Sequence, residues 1–125
     1  MLMKLLTLMV AGGLGTLARY GLSGLVHRLD GSSFPWGTVV VNLLGCFAIG
    51  ILWGMIDLKG LFGSSTRVLI LIGFMGAFTT FSSYVLETGQ LVQAGQWFPA
   101  VGNLLLQNLG GFALFVLGLL AVRIF

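Results

Sequence analysis

Charge is what this 125-residue chain has least of. Six Lys or Arg, three Asp or Glu and one His make 7% of its residues charged, with a net charge of +3 and a mean hydropathy of +1.08. Soluble domains carry roughly 25% charged residues, so the solvent for most of this chain is lipid. The positive charge is too thinly spread, and too free of basic clusters, to suit a nucleic acid partner. Cysteine is reduced to Cys46, so no disulfide framework within the chain can form. The one histidine, His27, lies at the far end of another span, and Cys46 without a second thiol reads as a packing residue. There is no Ser/His/Asp set, no metal cluster and no phosphate-binding glycine loop. The chain is therefore not expected to be an enzyme.

What is present is apolar length. The charges Lys4, Arg19, Arg28, Asp30, Asp57, Lys59, Arg67, Glu87 and Arg123 stand mostly at the edges of long apolar runs. A helix needs roughly 20 residues to cross the hydrocarbon core, and four spans of that size fit: about Met3 to Leu25, Trp36 to Ile56, Arg67 to Val92 and Pro99 to Ile124. They make residues 1–125 one all-α membrane domain, with no segment left over for a soluble one. Lys4 ahead of an apolar run also has the look of a secretory signal, but Arg19-Tyr20 follows directly and the rest still needs a membrane. Leu29 to Pro35 reads as a turn-rich loop, with Pro35 suited to the start of the second helix. The small-xxx-small pairs Ala11/Gly15, Gly12/Thr16 and Gly50/Gly54 allow close helix contact. Their spacing leaves open whether that contact is general packing or a dimer seam.

Against this background the stretch GFMGAFTTFSSYVLE, residues 73–87, groups five hydroxyl side chains with a carboxylate. Thr80, Ser83, Tyr84 and Glu87 fall at i, i+3, i+4 and i+7, one face of a helix. In lipid a polar face must turn inward, to other helices or to a cavity. Gly73, Gly76 and Ala77 ahead of Phe78-Thr79-Thr80 form a poor run for a helix. Spacing alone leaves open a break that frees backbone groups and a bent but continuous helix. Other polar residues can converge here: Asn42 with Thr38 and Cys46 one turn away on either side, and Asn103, Gln107 and Asn108 in the fourth span. An intramembrane Asn often serves only as glue between helices. The inventory as a whole is nonetheless skewed to hydroxyls and amides, with Arg19 the only permanent charge well inside a span. Donors without carboxylates favour an anion over a cation.

Over nearly its whole length the chain resembles the Fluc (CrcB) fluoride channels. The resemblance rests on Gly12-Gly13-Leu14-Gly15 followed by Arg19-Tyr20, on Pro35-Trp36-Gly37-Thr38-Val39-Val40-Val41-Asn42, and above all on Gly73 to Ser83 with Glu87. It implies an antiparallel, dual-topology homodimer in the bacterial inner membrane, with a broken third helix, two fluoride pathways and a central structural sodium ion. Such channels passively discharge fluoride and so confer fluoride resistance. The resemblance makes Thr38 and Asn42 donors along the pathway, with Thr80, Ser82 and Ser83 on or near its polar track. Phe81 becomes one of two facing aromatics whose ring edges meet the ion. Gly76 and Thr79 are expected to give backbone carbonyls to sodium, doubled by the partner copy, and Arg19 and Glu87 to lie toward the wider mouths.

Two departures stand out. Tyr84 occupies the place of the second phenylalanine, and its hydroxyl can donate to the ion or tie up a neighbour. The fourth helix lacks Ser, Thr and Tyr from Pro99 to Phe125, which leaves Gln107 and Asn103 as substitutes. A small multidrug-type exporter also has four short spans, but it needs a carboxylate in its first helix, where this chain has Arg19 and no acid. A non-transporting membrane subunit gives no reason for the hydroxyl stripe. With four spans, Lys4, Lys59, Arg67 and Arg123 share one side against Arg28 on the other. That bias favours the ends inside and conflicts with dual insertion.

Overall fold

Backbone amides in hydrocarbon must find partners within the chain, so apolar runs of this length become helices. The computed structural model describes residues 1–124, which form helices and short connections with no strand among them. Helix α1 is Leu2–Asp30 and α2 is Trp36–Asp57. The third crossing, Ser64–Gln93, and the fourth, Trp97–Ile124, complete four helices long and apolar enough to span a membrane. This is a multi-pass membrane protein. Helix α1 runs on to Asp30, beyond the Leu25 at which its apolar run was expected to end. Hydropathy marks where lipid ends, and Arg28 and Asp30 can continue a helix into the interface. Gly31 stops it, in the left-handed conformation at φ 63° with its N–H on the His27 carbonyl at 3.2 Å; only glycine takes that conformation without a Cβ penalty.

The following turn is held by side-chain oxygens. The Asp30 carboxylate accepts from the Ser32 N–H at 3.1 Å and from the Ser32 hydroxyl, whose oxygen accepts from the Phe34 N–H at 3.3 Å. Pro35 directly precedes α2, where its missing N–H costs nothing.

The third crossing is in two pieces. The first, α3, covers residues 64–78 and is wound as a wider π-helix from Val68 to Met75. Thr79 (ψ 158°) and Thr80 (φ −149°, ψ 115°) are extended. Helical geometry resumes as α4, Phe81–Gln93. The fourth crossing, α5 (Trp97–Ile124), has its own π-helical segment at Leu106–Gly110.

Helix α2 packs along the second half of α5 and also against α1, which in turn packs on α3. A methyl group on Gly50 would collide with the Phe115 carbonyl of α5, and one on Gly15 with the Phe74 carbonyl of α3. The small residues read from the sequence thus serve close contact within one chain. Buried apolar side chains are few, among them Val39, Val41, Ile56, Met75 and Leu91, while Leu17, Ile72, Leu109 and Phe112 face outward. In water such a surface would aggregate, whereas in a bilayer it meets lipid tails. Helix α4 also buries a polar face, the one carrying Tyr84 and Thr88.

Candidate functional site

The two extended residues deprive the backbone of its helical bonds, and Asn42 of α2 makes good part of the loss. The Thr80 N–H donates to Asn42 Oδ1 at 2.8 Å, and Asn42 Nδ2 donates to the Thr80 carbonyl at 2.9 Å. A side-chain amide has a donor and an acceptor on one plane and so can pair with both polar groups of a backbone residue. The second hydrogen of Asn42 Nδ2 goes to Gln107 Oε1 at 2.6 Å. Both hydrogens of the Asn42 amide are therefore engaged inside the protein.

From Gln107 the bonds continue in one direction. Gln107 Nε2 donates to Asn103 Oδ1 at 2.8 Å, Asn103 Nδ2 to the Thr88 hydroxyl at 2.9 Å, and Thr88 to the Tyr84 carbonyl at 2.7 Å. Asn103 is wholly buried, a position that an unpaired amide would not tolerate. Helices α2, α4 and α5 are tied together by this chain. Thr88 is the member that the sequence analysis did not name, although it continues the polar face one turn beyond Tyr84 and was legible there.

The start of α4 is capped locally. Thr80 Oγ1 accepts from the Ser83 N–H at 3.3 Å and donates to Ser83 Oγ at 3.0 Å, the usual service of an N-cap threonine. In an unbroken helix the Gly76 carbonyl would accept from the Thr80 N–H and the Thr79 carbonyl from the Ser83 N–H. Both amides point elsewhere, to Asn42 and to the Thr80 hydroxyl, so both carbonyls lose their helical partners. The Thr79 hydroxyl donates back to the Met75 carbonyl at 2.9 Å.

Two clefts meet at Thr80. The larger, about 500 Å³, lies among α1, α2 and α4 and holds Arg19, His27, Thr38, Thr80, Ser83 and Glu87. In it the Thr38 hydroxyl donates to Glu87 Oε1 at 2.6 Å, while Glu87 Oε2 is buried without a partner. Ser83 Oγ accepts from Thr80, and its own proton has no acceptor among the described residues. Tyr20, Ser23 and His27 of α1 join this cleft and were not expected there; Tyr20 adjoins Arg19, and Ser23 and His27 lie one and two turns beyond it.

The smaller cleft, about 220 Å³, lies on the other side of the Asn42–Thr80 bridge and holds Thr79, Phe81, Tyr84, Gln107 and Asn108. The Phe81 and Tyr84 rings meet in a T shape at 5.4 Å, with Phe81 74% exposed. Of the residues read from the sequence, Ser82 and Gly76 stand apart, both exposed and lining neither cleft. The others come together around the break.

Known proteins are similar to this chain along almost their whole length. A relative from Desulforapulum autotrophicum, named Fluoride-specific ion channel FluC, is 47% identical over 121 residues, 97% of each chain. One of the same name from Solidesulfovibrio magneticus is 46% identical over 124 residues, 99% of each chain. A third, from Nitratidesulfovibrio vulgaris strain Miyazaki F, is 49% identical over 120 residues, covering 93% of this chain and 94% of its own. Residues 6–119 match the family described as CrcB-like protein, Camphor Resistance (CrcB), and the chain belongs to that family.

Proposed function

We propose that this chain forms a fluoride-selective channel that lets fluoride leave the cell down its gradient, with two inverted copies as the working unit and two routes between them. The observation that carries the reading is the polar track itself. Thr38, Ser83, Thr80, Asn42, Gln107 and Tyr84 run from one cleft, past the break, into the other, inside helices whose outer surfaces suit only lipid. The names of the relatives supply the ion.

Fluoride is small and strongly hydrated, so a narrow route must offer donors in place of water. The protons of Ser83 and Tyr84 and the second Nε2 hydrogen of Gln107 have no acceptor among the described residues and stand ready for that purpose. The edge of the Phe81 ring carries positive quadrupole charge and meets an anion without holding it tightly. Passage requires such weak, repeated contact, because a site that binds too well does not conduct. Both clefts are open on the monomer, and Phe81 would face hydrocarbon on its own beside Asn108 and Gln107. A second copy over this face is the reading that gives these polar groups company.

Sodium is the cofactor we assign to the break. Hard cations take oxygen ligands, and the carbonyls of Gly76 and Thr79 are among those that the break deprives of helical amides. Two from each copy would make a set of four. When bound, the ion supplies a fixed positive charge to the field around the route. The chain's own residues do the rest: Asn42 and the Thr80 cap hold the break open, and Arg19 in the larger cleft attracts anions toward it.

The test is release from liposomes loaded with fluoride, with a potassium ionophore to balance charge. Fluoride should leave down its gradient while chloride under the same conditions stays. Equal release of chloride, or no fluoride release from well-folded protein, would count decisively against the channel.

A further inference from the structure

Tyr84 is where this chain departs from the aromatic pair that its resemblance implies, and its surroundings give the extra oxygen a use. The side chain is 5% exposed. Its hydroxyl oxygen accepts from Asn108 Nδ2 at 2.8 Å, and the same nitrogen donates its other hydrogen to the Leu104 carbonyl at 2.8 Å. The Leu104 bond decides which way the amide faces, because turning it over would set Oδ1 against a carbonyl oxygen. An amide nitrogen cannot accept, so the tyrosine must be the acceptor in its bond with Asn108. Its own proton is left over, and no acceptor for it exists among the described residues. A buried donor without an acceptor is costly, and it marks a place that an acceptor from outside can fill.

A second such donor stands in the same cleft. Gln107 Nε2 gives one hydrogen to Asn103 Oδ1 and keeps the other. Asn42, on the same wall, has none left, since its two hydrogens go to Thr80 and Gln107. The carbonyl oxygen of each amide already accepts one bond, Asn42 Oδ1 from the Thr80 N–H and Gln107 Oε1 from Asn42. The cleft therefore presents an uncommitted hydroxyl, an uncommitted amide hydrogen and the Phe81 ring, which together fit a small anion, beside Asn108 Oδ1, which has no donor among the described residues.

We propose that Tyr84 and Gln107 are the hydrogen-bond donors that meet fluoride in this cleft, with Asn108 and Asn103 as the positioning residues that orient them. The inference rests on the fluoride reading above. It also accounts for a fourth helix without hydroxyls: Gln107 donates from α5, and the missing hydroxyl is supplied from α4. Fluoride is the favoured occupant among the halides because it is the smallest and the strongest acceptor. Chloride gains less from two fixed donors and needs more room.

The full-length protein can be tested by two readouts. In the first, fluoride is titrated into purified protein and the near-ultraviolet tyrosine difference spectrum is followed. The expected result is a saturable change with fluoride, none with chloride at the same concentration, and loss of the change in Tyr84→Phe. In the second, fluoride release is measured against fluoride concentration. Tyr84→Phe should still conduct, with its half-saturating concentration raised about tenfold, the effect of losing one hydrogen bond to a charged partner. Asn108→Leu should raise it about threefold and add nothing further in the Tyr84→Phe background, whereas a purely structural Asn108 would cost the same in both. If the wild type conducts fluoride but Tyr84→Phe matches it in both readouts, this inference is overturned and the channel reading stands. If the wild type gives the saturable spectral change but no fluoride release, the site is supported and the channel reading fails.

Discussion

Asn42 shows how a residue type can be right for more than one task. An amide on the inner face of a membrane helix reads as a donor to a passing anion or as glue between helices. Its geometry joins α2 to the backbone of Thr80 and to Gln107 of α5. Asn42→Asp keeps the shape but turns the two donors into an acceptor, set against the Thr80 carbonyl and Gln107 Oε1. Loss of such a buried pairing costs about 1–3 kcal/mol per group left unsatisfied. Fluoride release should fall at least ~10-fold, the equivalent of about 1.4 kcal/mol, as read by a fluoride electrode outside loaded liposomes. Release at the wild-type rate would show that the bridge is dispensable. Phe81 makes the contrasting case, since it is largely exposed and its ring meets only Tyr84 in a paired arrangement. Phe81→Ile should leave the folded protein intact in size-exclusion profile while lowering fluoride release, because bulk is kept and the ring edge is lost.

For the elements, the third crossing carries most of the information. Its glycine- and threonine-rich middle weakens the helix, but low propensity does not by itself choose between a bend and an interruption. The choice lies with the partners that the freed amides find: Asn42 Oδ1 for Thr80 and Thr80 Oγ1 for Ser83. Thr80→Ala removes the cap of α4 and should destabilise the protein by about 1 kcal/mol, seen as a lower melting temperature in detergent. Thr80→Ser, which keeps the hydroxyl, should recover most of the loss. An alanine variant as stable as the wild type would mean that the cap contributes nothing. Packing between α2 and α5 sets a stricter limit. Gly50→Val would drive a side chain into the Phe115 carbonyl, and the variant should fail to yield monodisperse protein.

As a whole molecule the chain has a charge bias that favours one orientation, with both ends inside, while the proposed channel needs copies in both orientations. Single cysteines placed near the ends of the helices on a Cys46→Ala background can decide between them. An impermeant thiol reagent should label each position from either face in native membranes, and cross-links should join antiparallel copies. If the termini of all molecules lie on the same single face of the membrane, the inverted dimer is wrong. Substitution of Cys46 is compatible with packing if the replacement is small, since its sulfur sits close to Gly111 of α5.

Composition and periodicity alone determined that the chain dissolves in lipid, that it crosses four times, and that one face of the third crossing turns inward. These properties follow from transfer energies and from the 3.6-residue repeat, both local to a segment. Even the stop of α1 at Gly31 is a local matter of φ. Which donors remain free was decided only by the tertiary structure. The bonds from Asn42 to Thr80 and Gln107 join positions 38 and 65 residues apart, and no spacing rule spans helices whose crossing angles are set by packing. The same holds for Glu87 on Thr38, 49 residues away, and for the Tyr84–Asn108 pair that leaves one proton uncommitted. A sequence lists donors and acceptors, but the balance between them in a cleft appears only when the helices have met.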